Sequence, residues 1–404
     1  MENSTATSKL KSSEVSIALN ATAAAALVLV VAGAGQLATL LGSSMTSGWP
    51  GFADLMGQLP EPLAWLRWFF GDMSEATFYK HELASVGMLL GAMVAHWAYK
   101  RGKRWQGFTV SYGTGLLPWI LLSSSLGLIL SNLLWGWTIT QSESWQPTFV
   151  TFVSLPAAMV LMFGRGWKVA IVGGVMGALL VTPIALALVN YVCNPMKLPS
   201  VIGNVSAMAL GSAVAFVICS LIPALVRSER TPVEEPSPAV STQPMYGPSW
   251  TVRRVLADFT EAPFIGNELA SIGLIFGLLV AISLNPTSPV YGSGLAVQVL
   301  VGQVLASALG VVMWRRQWMT RGWYPTYIPV VSVTPAAILA YGGAPVVIGV
   351  SALLGALLAP PLAAAISDRL PKSFHPYIGN VISMAICTLV VLPIIGMLPG
   401  VGAP

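Results

Sequence analysis

Residues 72–87 read DMSEATFYKHELASVG, and residues 258–273 read DFTEAPFIGNELASIG. At a constant offset of 186 the two stretches share Asp72/Asp258, Glu75/Glu261, Ala76/Ala262, Phe78/Phe264, Glu82/Glu268, Leu83/Leu269, Ala84/Ala270, Ser85/Ser271 and Gly87/Gly273. Apolar segments share Leu and Ala by chance. They seldom share carboxylates, serine and glycine in one order, so the pattern DxxEAxFxxxELASxG points to an internal duplication.

Working outward, the likeness continues. Gly113, Gly115 and Trp135 match Gly292, Gly294 and Trp314; Pro147-Thr148 matches Pro325-Thr326, and Ser154 matches Ser332. Gly177-Ala-Leu-Leu180 matches Gly355-Ala-Leu-Leu358, Pro183 matches Pro361, and Ile202-Gly-Asn-Val205 matches Ile378-Gly-Asn-Val381. Between the halves, residues 228–250 are dominated by Pro, Ser, Thr and Glu and keep no apolar period, which reads as a flexible linker.

Composition says what the duplicated unit is made of. Of 404 residues, 55% are hydrophobic and only 9% charged, with mean hydropathy +0.74. A soluble domain carries about 25% charged residues, so most side chains here never meet water. Successive runs of about 20 nearly uncharged residues are each long enough to cross a ~30 Å hydrocarbon core as a helix. Period-2 alternation is absent, which excludes membrane strands. The expected fold class is an all-α polytopic membrane protein of about eleven transmembrane helices. Spans are expected at 16–42, 82–99, 110–137, 148–164, 168–190, 200–226, 262–285, 293–314, 323–341, 345–366 and 375–397. The domain reading is a cytoplasmic tail 1–15, an extra N-terminal helix 16–42, an extracellular loop 43–65, repeat 1 at 66–226, a cytoplasmic linker 227–251 and repeat 2 at 252–399. Residues 16–42 follow a short basic tail and could be a cleaved signal peptide; the apolar run is long for that, and a retained helix is expected.

An odd number of spans per repeat forces the second repeat to enter the bilayer from the opposite side. Loop charge agrees. KRGKR at 100–104 is basic while its counterpart NPTSPVYG at 285–292 carries no charge. TQSESW at 140–145 has no basic residue while RRQWMTR at 315–321 has three arginines, and Arg165 and Lys168 face a counterpart that reads GGAP. With the N-terminus inside, 17 of the 20 Lys and Arg fall on the cytoplasmic side and only Arg67, Lys80 and Lys197 outside. A protein integral to the plasma membrane, N-terminus cytoplasmic and C-terminus outside, is expected. The net charge of +5 is then a topology signal and not a nucleic-acid footprint.

Inverted repeats are a recurring plan of secondary transporters, with the solute near the midplane where the halves meet. Two carboxylates, Glu82 and Glu268, sit at or just inside an apolar span. A buried carboxylate costs about 2.5–3.5 kcal/mol on insertion scales, which marks both as pathway candidates; each could instead offset the dipole at its helix N-terminus. Asp72, Glu75, Asp258 and Glu261 fall in segments that alternate aromatics and charges and read as short membrane-surface helices. Ser154 with Pro156, Thr182 with Pro183, Ser332 with Thr334 and Pro335, and Pro360 with Pro361 fall inside spans, where broken helices can line a binding site or ordinary kinks can form. Asn204 and Asn380 add uncharged hydrogen-bonding groups, suited to a polar solute or to helix–helix bonds. Cys193, Cys219 and Cys387 have no metal or redox spacing, His81, His96 and His375 are scattered, and no ATP-binding loop occurs, so no cofactor and no enzymatic role is expected.

The stretch EAPFIGNELASIG, Glu261 to Gly273, resembles the QxxFxNNPxSG segment of bacterial urea transporters at Glu261, Phe264, Asn267 and Leu269. The resemblance covers a small fraction of the chain. The LPxxTxPF signature of that family is absent, since Gln146 to Phe152 has another spacing. It implies a pore for small polar solutes between two inverted five-helix halves. The functional expectation is a secondary transporter moving a small polar or anionic solute by alternating access, with H+ or Na+ as coupling ion. A passive channel or a non-transport membrane subunit are the alternatives, and a homo-oligomer is left open.

Overall fold

The computed structural model describes residues 2–44, 48–226 and 246–401, with side chains for residues 17–43, 48–226 and 246–401. Most of the expected linker, as far as residue 245, lies outside the described residues. Among the described residues every regular element is helical. Seven helices are long and apolar enough to cross a membrane, and three shorter apolar helical stretches, Thr148–Phe163, Glu268–Leu284 and Ile328–Tyr341, accompany them. Large apolar side chains such as Leu133 (75% exposed) and Leu221 (76%) stand on the outer surface, as they do where lipid replaces water as the neighbour. The chain fits an integral membrane protein.

Helix α1 spans Glu2–Ser44, because no Pro interrupts it and its three glycines lie late. After α2 (Phe52–Gln58) the first half runs α3 (Pro62–Met73), a 3-10 turn Glu75–Thr77, α4 (Glu82–Lys100), a turn Val110–Gly113, α5 (Leu117–Trp135) and α6 (Trp137–Ser142). A turn Thr148–Thr151 follows, then α7 (Leu155–Phe163), α8 (Trp167–Met176), α9 (Thr182–Leu188) and α10 (Ser200–Leu221). The second half runs α11 (Pro248–Ala257), a turn Asp258–Thr260, α12 (Glu268–Leu284), a turn Val290–Gly292, α13 (Ala296–Met313) and α14 (Arg315–Arg321). It continues through a turn Ile328–Val331, α15 (Val333–Tyr341), α16 (Pro345–Ser367) and α17 (Tyr377–Gly396). Element for element, the order from α11 follows the order from α3.

There is one departure. Where α16 is continuous, its counterpart is interrupted by π-helical turns at Gly177–Val181 and Val189–Cys193, flanking α9. Proline lacks the N–H that would bond four residues back and its ring crowds that carbonyl. Pro183 follows one of these turns, but α16 carries Pro360 and Pro361 and stays continuous, so proline alone does not account for the difference.

The core sits where the halves meet. A Cβ placed on Gly87 of α4 would land on the Gly273 carbonyl of α12, and one on Gly273 would land on the Gly87 carbonyl. Gly91 lies against Leu269 and Ala270, and Gly277 lies against Leu83 and Ala84. Numbers that rise along one helix fall along the other, so α4 and α12 cross antiparallel at equivalent residues. Glycines four apart on both helices permit backbone-to-backbone contact that any side chain would prevent. Two backbone bonds repeat the exchange: Ser111 N–H donates to the Ile265 carbonyl and Val290 N–H to the Tyr79 carbonyl, both at 2.9 Å. The rare left-handed conformations also pair, Phe78 (φ 66°) with Phe264 (59°) and Tyr112 (60°) with Tyr291 (56°). Helix α1 packs mainly on α11, α12 and α13, in the second half.

Candidate functional site: a cavity between the halves

The segments expected to lie at the membrane surface are buried instead. Asp72, Glu75, Asp258 and Glu261 are each at most 3% exposed. They survive burial because each pair shares a cation. Lys80 contacts Asp72 and lies 2.8 Å from Glu75. In the second half Arg254 donates to Asp258 at 2.9 Å and to Glu261 at 2.6 Å. The cation has changed place between halves. Trp68 stands where the second half has Arg254, and Gly266 stands where the first half has Lys80. Both of the latter are left-handed, Lys80 at φ 47° and Gly266 at φ 58°. A side chain at 266 would press on the Glu261 carboxylate, so the cation there has to come from elsewhere.

The rest of each cluster is matched. Thr148 donates to Asp72 at 2.8 Å and Thr326 to Asp258 at 3.2 Å. Each glutamate takes a tyrosine from the opposite half: the Tyr291 hydroxyl donates to Glu75 at 3.2 Å and the Tyr112 hydroxyl to Glu261 at 3.1 Å. Both tyrosines open a Tyr-Gly-x-Gly turn whose glycines the repeat had already matched. Reading one residue further back in the sequence would have found them.

A cavity of about 690 Å³ lies between the halves. Its centre is lined by both members of several equivalent pairs: Ala76/Ala262, Phe78/Phe264, Val205/Val381 and Met208/Met384. Its mouth is lined by one member only. Lys197, Leu198, Pro199 and Ser200 before α10, and Leu389, Leu392 and Pro393 at the end of α17, all line it. Deeper in, Glu75, Trp145, Tyr291 and Asn204 line the cavity, whereas their counterparts Glu261, Trp323, Tyr112 and Asn380 do not. On the opposite side the equivalent surface is packed, with Tyr377 bonded to Ser212 and the Phe216 and Phe374 rings 6.1 Å apart.

Among the residues singled out by sequence, Asn204 lines the cavity. Its Oδ1 has no hydrogen-bond partner although the residue is 5% exposed. Asn380, by contrast, donates to the Tyr327 hydroxyl at 3.1 Å. The position equivalent to Tyr327 is Phe149, which offers the Asn204 amide no such acceptor. Ser154 and Ser332 mark breaks, at φ −140° and −147°, between the 3-10 turns and α7 and α15. Each serine hydroxyl bonds back four residues, to the Val150 carbonyl at 2.5 Å and the Ile328 carbonyl at 2.7 Å. Pro156 and Pro335 lie in the first turns that follow, near Thr334, whose hydroxyl is buried without a partner. Thr182 bonds Ser131 at 2.9 Å, Pro183 borders a second, shallower hollow, and Pro361 lies inside α16.

Glu82 and Glu268 are the first residues of α4 and α12, and neither lines the cavity. Each is paired one to one: Arg67 with Glu82 at 2.5 Å and Arg253 with Glu268 at 2.6 Å. The preceding residues cap these helices. His81 Nδ1 accepts the Leu83 N–H at 3.1 Å and Asn267 Oδ1 the Leu269 N–H at 2.8 Å. Burial is the main cause that holds the His81 imidazole down at about 4, with Glu82 opposing and Arg67 adding to the shift.

Comparison with protein-family models, with curated proteins and with solved structures returned no match. The functional reading therefore rests on the fold and this site.

Proposed function

We propose that the chain is a secondary transporter that moves a small polar solute by alternating access. In this reading an N-terminal helix precedes two five-span repeats of opposite orientation, eleven spans in all. The N-terminus is cytoplasmic, the C-terminus is outside, and the host is the plasma membrane. One observation carries it: the cavity straddles the meeting of the halves, holds both copies of the central residues, and holds only one copy of the mouth residues. When two equivalent halves meet head to tail, exchanging their conformations closes this mouth and opens an equivalent one opposite. The antiparallel α4–α12 crossing at equivalent glycines supports the inversion, and the exchanged tyrosines tie each buried cluster to the movement of the other half.

A passive channel of the same symmetry is the second reading. Closure of one side by the Tyr377–Ser212 contact favours the carrier. Counterflow in proteoliposomes separates them, using any solute that a thermal-stabilisation screen retrieves. Saturable uptake stimulated by the same solute inside is expected of the carrier. Uptake that neither saturates nor responds to internal solute, or to an imposed H+ or Na+ gradient, contradicts it.

A further inference from the structure

The inner wall of the cavity is an aromatic box around a carboxylate. Glu75 Oε1 accepts the Trp145 indole N–H and the Tyr291 hydroxyl. The Trp145 ring meets Tyr291 edge to face at 6.1 Å and lies 6.4 Å from Phe149. All four residues line the cavity.

The charge behind this wall does not balance. Two carboxylates, Asp72 and Glu75, share the single cation Lys80, and all three side chains are fully buried. The other face of the Lys80 ammonium rests on the Trp68 ring at 3.5 Å from its centroid. The remaining titratable groups around the cavity are tyrosines 291, 327, 341 and 377, with Lys197 at the exposed mouth. Burial pushes the Glu75 carboxyl up to about 8, with Lys80 opposing and Asp72 adding to the shift, so near neutral pH the cluster holds one proton, and losing it leaves one uncompensated negative charge in a medium that screens poorly. Asp258 and Glu261 share Arg254 in the same ratio but do not line the cavity, and Glu82 and Glu268 each have an arginine of their own. Two further residues that line the same cavity, Asn204 and Thr388, are 5% and 0% exposed, and their Oδ1 and Oγ1 have no hydrogen-bond partner.

We propose that this cavity binds a monovalent organic cation with an apolar body. Its charge is met by Glu75 within the Trp145–Tyr291–Phe149 box, and its N–H or O–H groups by Asn204 and Thr388. Aromatic faces attract cations and reject anions, most strongly where water is excluded. An anion would find no free counter-charge in the wall, the one buried ammonium being held by Asp72 and Glu75. A proton on Glu75 removes the uncompensated negative charge, so H+ and the organic cation compete for one carboxylate. The proposal deepens the transporter reading by naming the solute class, and rests on that reading only for the claim that the cation is carried across.

The test uses two ions of nearly one shape and opposite charge, tetraphenylphosphonium and tetraphenylborate, titrated calorimetrically into the full chain in lipid nanodiscs. Tetraphenylphosphonium is expected to bind saturably, at least about tenfold more tightly than tetraphenylborate, and more weakly as the pH falls. Trp145→Leu is expected to weaken it about tenfold, the equivalent of about 1.4 kcal/mol. Glu75→Gln is expected to abolish the preference for the cation. If that variant misfolds with Lys80 unpaired, Trp145→Leu still decides. Equal binding of both ions, preference for the borate, or cation binding unchanged in Trp145→Leu overturns the proposal. Side-specific cysteine labelling of the two halves, which needs no ligand, reads alternating access separately. Alternation without cation selectivity overturns the cation site and leaves the carrier standing; cation selectivity without alternation does the reverse.

Discussion

Moving the buried cation from one half's arrangement to the other's gives the sharpest stability prediction. Lys80 is fully buried against Asp72 and Glu75. Removing one partner of a buried charge cluster costs about 3–5 kcal/mol, because the carboxylates left behind are uncompensated. Lys80→Met is expected to show that loss. Lys80→Gly is expected to lose about 1 kcal/mol less, because glycine tolerates the left-handed φ of 47° that lysine endures. The second half already has glycine at this position and arginine where Trp68 stands. Trp68→Arg combined with Lys80→Gly therefore rebuilds the Arg254 arrangement around Asp72 and Glu75. Trp68→Arg alone sacrifices a fully buried ring that bonds Thr148 at 3.0 Å, so it is costly by itself. The informative quantity is the coupling. The double variant is expected to be more stable than the sum of the two single losses by about 2 kcal/mol or more, well beyond ordinary additivity error. Unfolding by SDS titration in mixed micelles, on all three variants, measures it. Strict additivity would refute the equivalence of the two clusters, and a neutral Lys80→Met would refute the pairing itself.

Three further outcomes follow from the same geometry. Gly87→Val or Gly273→Val is expected to cost about 1–3 kcal/mol or more, since the new side chain meets backbone across the α4–α12 crossing, whereas Gly33→Ala, with nothing within 4 Å, is expected to be neutral in the same assay. His81→Asn copies Asn267 and keeps the cap. Because the imidazole is held down from 6.5 to about 4, the unfolded chain binds the extra proton between those values. Wild-type stability is therefore expected to fall by up to about 3 kcal/mol as the pH drops from about 6.5 toward 4, and this component should vanish in His81→Asn. Finally, Glu268→Gln is expected to cost no more than about 1 kcal/mol because Arg253 is 44% exposed, while Glu82→Gln, facing an 11% exposed Arg67, should cost more; the reverse order on SDS titration would contradict this pairing.

Helix ends were legible in part: the first span, expected at 16–42, runs Glu2–Ser44, and the stretches expected to begin at 110, 262 and 323 become helices only at Leu117, Glu268 and Val333, after turns and extended segments. The tenth span, expected at 345–366, is Pro345–Ser367, and the eleventh, expected at 375–397, is Tyr377–Gly396. Apolar runs bounded by Pro, Gly and charge leave little choice of where a helix stops. The buried clusters were less legible. Glu75 lies among aromatics and charges, locally indistinguishable from a membrane-surface segment. Its burial depends on Lys80 folding back over five residues and on Tyr291 arriving from 216 residues away. Glu82 misled in the opposite sense: beside an apolar run it looks unpaired, but Arg67 one short helix earlier meets it. Asn204 was found because its copy at 380 marked it. What distinguishes the two asparagines, a phenylalanine at 149 against a tyrosine at 327, shows only once the turns that carry them are placed against α10 and α17.

The central claim is that equivalent residues of the two halves face opposite sides of the membrane and take turns at the cavity. In a background lacking Cys193, Cys219 and Cys387, cysteine is placed at Leu389, on the cavity mouth, and separately at its equivalent Ala213. Both variants are treated with a membrane-impermeant thiol reagent added from one side at a time. The account predicts that Leu389→Cys reacts from outside and Ala213→Cys only from the cytoplasmic side, and that conditions which protect one expose the other. Reaction of both from the same side would contradict the inversion, and simultaneous full reaction of both from their own sides would contradict alternating access.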